Sequence, residues 1–72
     1  KQEKTNVDSL IGKTAVVTAE IHNLEGRGEV LVNGLTWTAR AENDSEVISG
    51  DVPVEIIAVE GVKLIVRKKK EG

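Results

Sequence analysis

The sequence predicts an all-β fold, a small barrel of five short antiparallel strands, and three observations carry this. Val, Ile and Thr make up 22 of the 72 residues, a β-branched load that suits a pleated, half-buried surface better than a helix. Apolar residues recur with a period of two in four or five short runs, punctuated by Gly and Asn-Gly. One Pro, one aromatic, no Cys and no Met leave room for a single domain with a small aliphatic core, stabilised by packing without disulfide or thiolate-bound metal.

The first run spans Lys13 to Ile21. Its alternation turns Ala15, Val17, Ala19 and Ile21 inward and Thr14, Val16, Thr18 and Glu20 outward. The second and third runs, Gly28 to Val32 and Leu35 to Ala41, flank Asn33-Gly34. Both turn residues tolerate positive φ, which makes this pair the strongest short-range hairpin signal in the chain. A two-residue turn there pairs Val32 with Leu35 and Val30 with Trp37 on one face, leaving Glu29, Leu31, Thr36 and Thr38 on the other. Turn and pattern agree, as register requires.

The fourth and fifth runs, Val52 to Ala58 and Val62 to Lys68, admit two registers. A two-residue Glu60-Gly61 turn sets Ala58 opposite Lys63 and Glu55 opposite Val66, which buries charge. A three-residue loop of Val59, Glu60 and Gly61 pairs Ala58 with Val62, Ile56 with Leu64 and Val54 with Val66, with Gly61 left-handed in a bulge. The three-residue loop is expected. Pro53 cannot donate to a ladder, so its nitrogen should face an edge or a gap in the barrel.

Between the third and fourth runs, Glu42 to Asp51 reads as a polar turn, an apolar plug at Val47-Ile48 and a tight turn at Ser49-Gly50-Asp51, too short for a helix. His22 to Arg27 forms the loop between the first two runs. Five short strands with a coil segment after the third match a small barrel of the OB type, in which closure removes exposed edges. The expected organisation is a tether over residues 1–9, the barrel over 10–68 and a basic tail over 69–72. Asn33, Gly34, Trp37, Gly50 and Gly61 are the expected structural positions.

The net charge of −2 is unevenly spread. Residues 1–66 carry 6 basic and 11 acidic groups, a balance of −5, whereas residues 67–72 carry 4 and 1, a balance of +3. An acidic body repels the phosphate backbone, whose neutralisation supplies most non-specific nucleic-acid affinity. An OB module that binds single-stranded nucleic acid is the alternative function, but it would stack bases on several aromatics in a basic groove, and this chain has one aromatic. The Arg67 to Lys70 block is a solvated end or, beside a membrane tether, a contact for anionic headgroups. The start K-Q-E-K-T-N has neither an initiator Met nor an apolar signal segment and is compatible with an excised piece of a longer protein.

Candidate chemistry is sparse. His22 lies in a loop, and no spacing links it to Ser9, Ser45 or Ser49 as a base to a nucleophile. Glu42, Asp44 and Glu46 alternate but lack the glycine and terminal glutamate of a calcium loop, so they read as a solvated acidic turn. Gly26 and Gly28 frame a G-R-G that precedes a strand, whereas a phosphate cradle needs a helix N-terminus. Arg27 and Arg40 read as partners of nearby acids. No catalytic, cofactor-binding or metal-binding residue is assigned.

Four stretches carry a family resemblance: L-I-G-K at 10–13, G-E-V-L-V-N-G-L-T-W-T-A-R at 28–40, I-S-G-D-V-P-V at 48–54 and V-E-G-V-K-L-I-V at 59–66. Over about residues 10–66 the chain resembles the C-terminal soluble domain of NfeD-family membrane proteins. One departure is the missing proline that often precedes the glycine of the first loop in that family. The resemblance implies a non-enzymatic interaction barrel tethered after transmembrane helices at the cytoplasmic face. Its implied partners are membrane scaffold (SPFH) proteins of the stomatin, prohibitin or flotillin type. Some longer relatives carry a serine-protease domain, but nothing in this sequence matches it.

Val16, Leu31, Ile57 and Ile65 fall on outward positions, joined by Leu24 in the first loop. A contiguous exposed apolar patch marks an interaction site. Val16, Ile57, Ile65 and Leu24 are therefore the candidate surface for a scaffold partner or a second copy of the domain. Alternatively, coiling of the first strand or the bulge at Gly61 folds some of them into a second small core.

Overall fold

Alternating apolar residues and the Asn33-Gly34 turn build the first hairpin as the sequence predicts. The structure, a computed structural model, describes residues 7–69. A 3₁₀ turn at Val7–Leu10 leads into β1 (Thr14–His22), a second at Asn23–Glu25 joins it to β2 (Arg27–Val32), and then follow β3 (Leu35–Ala41), β4 (Val47–Ile48), β5 (Pro53–Glu60) and β6 (Lys63–Lys68). Residues 1–6 of the expected tether and 70–72 of the expected tail lie outside the described residues.

The strands pair in the order β2-β3-β6-β5-β1-β4, and β1 also pairs with β2. Five strands thus close into a barrel, with β4 added on β1. Four of the five barrel pairings are antiparallel, whereas β3 and β6 run parallel. The expectation of a wholly antiparallel barrel is corrected here for a topological reason. An odd number of strands cannot alternate in direction around a closed ring, so one neighbouring pair must be parallel.

In the β2–β3 hairpin, Val32 pairs with Leu35 and Val30 with Trp37, the predicted register. Asn33 at φ 54° and Gly34 at φ 78° form its turn, the sign pattern of a type I′ connection. The register holds, but Leu35 is not in the core. It lies past the rim of the barrel and is 60% exposed.

The β5–β6 hairpin departs from the expected three-residue loop. Glu60 pairs with Lys63 across a two-residue Gly61-Val62 turn, and Val59 pairs with Leu64, Ala58 with Ile65, and Ile56 with Val66. Gly61 does take the left-handed conformation, at φ 63°. The extra residue sits at Ile57, where the register slips between Ile56 and Ala58. Moving the bulge from the turn into the strand keeps Ile56, Leu64 and Val66 inside while bending β5 around the small barrel.

β1 carries two such slips, between Val17 and Ala19 and between Ala19 and His22. Ala19, expected inside, is consequently exposed, and the second slip returns Ile21 to the core. This coiling lets β1 serve three partners: β5 through Thr14 to Val16, β2 through Val16 to His22, and β4 through Ile21 and His22. Pro53 is the first residue of β5, and its carbonyl accepts from the Lys69 N–H at 3.2 Å just past the end of β6, so its missing N–H falls where the ladder ends.

Among the described residues the core consists of thirteen aliphatic side chains, and no charged residue is buried. Leu10 seals it at one end and Ile48, the inner half of the Val47-Ile48 plug, adds to it from β4. Trp37, Val52 and Val59 pack half-buried against its margin.

Candidate functional site

The parallel β3–β6 pairing and the first loop together make a groove on the outside of the barrel. Asn23 forms one wall, because its side-chain amide docks the 3₁₀ turn onto β3. Its Nδ2 donates to the Ala41 carbonyl at 2.9 Å, and its Oδ1 accepts from the Ala41 N–H at 2.8 Å. The same Nδ2 donates to Asp44 Oδ1 at 2.8 Å.

The cavity measures ≈ 320 Å³, with Ile65 and Ala41 as its apolar part, Glu42, Asp44 and Glu60 as carboxylates and Arg40 and Lys63 as cations. Arg40 is not a partner of acids as expected. It donates to the carbonyls of Ala39 and Gly26, each at 2.7 Å, and separates this groove from a second depression of ≈ 340 Å³ along β2. Arg27 does take acidic partners, Glu20 at 2.9 Å and Glu25 at 3.0 Å. His22 Nδ1 lies 3.6 Å from Glu25. The groove lining mixes three carboxylates and two cations with the apolar Ala41 and Ile65.

The candidate partner residues separate into three places. Ile57 and Ile65 lie half-buried on adjacent strands, Ile65 opposite Ala58 and beside the groove. Val16 pairs with Leu31 on β2 and with Pro53 on β5, and Val16 and Leu31 are both exposed. The Glu55–Arg67 ion pair, at 3.4 Å, stands between these two apolar sets. Leu24 protrudes alone from the first loop, 77% exposed.

Sequence reasoning missed the role of Asn23 and gave Arg40 acidic partners in place of the two backbone carbonyls it binds. A side chain that binds the backbone of a remote strand leaves no periodic signal. Among the described residues no group of three or more His, Cys, Asp or Glu is arranged to hold a metal. No described helix is long and apolar enough to cross a membrane.

A closed barrel with an aliphatic core and an open, mixed-character groove on its flank defines a small binding module. The chain belongs to the NfeD family: residues 7–68 match its NfeD-like C-terminal, partner-binding domain. Two solved structures are similar over most of their length. One is the soluble domain of a membrane protein implicated in regulation of membrane protease activity from Corynebacterium glutamicum, with a TM-score of 0.81 and 25% identity over 88% of this chain and 97% of that one. The other is the C-terminal domain of stomatin operon partner protein 1510-C from Pyrococcus horikoshii, with a TM-score of 0.78 and 26% identity over 94% and 100%. No curated protein sequence matches.

Proposed function

We propose that this domain is a non-enzymatic interaction barrel, tethered to a membrane through its N-terminal side, that docks a scaffold protein of the stomatin, prohibitin or flotillin type. The match of residues 7–68 to a partner-binding domain carries this reading. The likeness to a stomatin operon partner supports the choice of partner, and the likeness to the soluble domain of a membrane protein supports the tether. The docking surface is the β5–β6 flank, where Ile57 and Ile65 adjoin the groove whose carboxylates and cations can pair with a partner's charges.

The test is co-purification of a stomatin-, prohibitin- or flotillin-type protein with the parent protein from detergent-solubilised membranes. Replacing both Ile57 and Ile65 with Thr keeps strand propensity and removes apolar area. The double variant should stay folded and capture several-fold less scaffold protein, since two lost apolar contacts at about 1 kcal/mol each amount to that. A folded double variant with undiminished capture would overturn the assignment of the flank.

A further inference from the structure

Three exposed aliphatic side chains gather at one end of the barrel, the end at which the chain enters. The parallel register of Thr38 with Lys63 sets Val62 level with Trp37, so the Asn33-Gly34 and Gly61-Val62 turns lie at the same rim. The start of β1 joins them there: the Gly12 N–H donates to the Ile56 carbonyl at 2.7 Å, and Leu10 is buried behind it. At this rim the inward-facing series overruns the core, leaving Leu35 60%, Val62 79% and Ile11 47% exposed, with Trp37 and Val59 half-buried behind them. The charged residues beside them are Lys13, Glu60 and Lys63, and among the described residues none of the three makes an ion pair. The opposite end carries the ion pairs of Arg27 with Glu20 and Glu25 and of Lys68 with Glu46 at 3.9 Å, and its exposed aliphatic side chains, Leu24 and Val47, stand on the first loop and on β4.

We infer that this rim is a bilayer-docking surface: Ile11, Leu35 and Val62 enter the boundary between headgroups and acyl chains, with Lys13 and Lys63 at the level of the phosphates. Aliphatic side chains flanked by two lysines, against the one carboxylate of Glu60, suit that boundary. A second copy of the domain fits less well, because three side chains on a rim fall far short of the roughly 800 Å² per partner of a stable dimer. The inference rests on the membrane tether of the proposed function. A tether converts weak docking into an intramolecular event at millimolar effective concentration.

Trp37 is the only tryptophan and lies just behind the rim, which makes it the probe. The chain carrying a His tag ahead of Lys1 is bound to phosphatidylcholine–phosphatidylglycerol vesicles that contain nickel-chelating lipid and brominated acyl chains. Trp37 fluorescence should fall at least about twofold relative to vesicles without bromine, and the combined Leu35→Ser and Val62→Ser variant, equally captured and equally folded, should lose that quenching. A tag placed after Gly72 should give none, because β6 runs away from the rim. Equal fluorescence on brominated and plain vesicles, or quenching unchanged in the variant, would overturn the inference. So would a Trp37 signal that depends on protein density on bromine-free vesicles, which would mean that a second copy covers the rim. The artificial tether separates this outcome from the proposed function, which fails instead if the parent protein has no apolar span upstream.

Discussion

Gly28 sits in β2 with φ 145°, and a Cβ built there would lie 2.7 Å from the Ala39 carbonyl oxygen and 2.9 Å from Ile21 Cα. Both neighbours are backbone, so neither can swing aside. Gly28→Ala should therefore cost about 3 kcal/mol or more, read as a lower midpoint in urea unfolding. An unchanged midpoint would refute the close approach. Asn23 tests a different kind of constraint, since it supplies both a donor and an acceptor to Ala41. Asn23→Ala leaves those two backbone groups without their partner and should cost about 1–3 kcal/mol. Trp37 carries the opposite imbalance: its buried Nε1 has no hydrogen-bond partner among the described residues. Nothing in the local sequence separates Gly28 from the turn glycines or Asn23 from an ordinary loop residue, because both roles come from strands remote along the chain.

At the scale of elements, the two hairpins differ in how completely local chemistry specifies them. Asn33-Gly34 dictates both turn type and register, and the Val30/Trp37 pairing follows directly. A Cβ added at Gly34 would meet no atom within 4 Å, so the constraint at this position is φ 78° alone. Gly34→Val should lower stability by about 1–2 kcal/mol through backbone strain, checked by thermal unfolding, with Gly34→Asn milder because Asn tolerates the left-handed region. The β5–β6 hairpin was less legible. Its alternation required one extra residue on β5, but a bulge in the turn and a bulge at Ile57 satisfy the same inside–outside pattern. Curvature of the closed barrel decides between them, and curvature is not a local property. β1 shows the same limit at Ala19, which lies between two slips.

For the molecule as a whole, the charge distribution makes a prediction about partners. Residues 1–66 carry a balance of −5, and the flank groove contains three carboxylates against two cations. Single-stranded DNA should bind no more tightly than about 10⁻⁴ M at physiological salt, the weak end of non-specific binding. Micromolar affinity in a fluorescence titration would instead favour the nucleic-acid reading of this barrel.

The β class, the first hairpin with its register, the aliphatic character of the core and the family are all legible in the chain before it folds. Each of these rests on contacts between near neighbours or on residue pattern. The parallel β3–β6 pairing, the placement of the bulges and the separation of Val16 from Ile57 and Ile65 emerge only once the barrel is assembled. So does the sharing of one rim by Ile11, Leu35 and Val62. The physical reason is ring closure: strand direction, strand curvature and the meeting of distant turns are set when the last strand returns to the first, and no segment carries that condition alone.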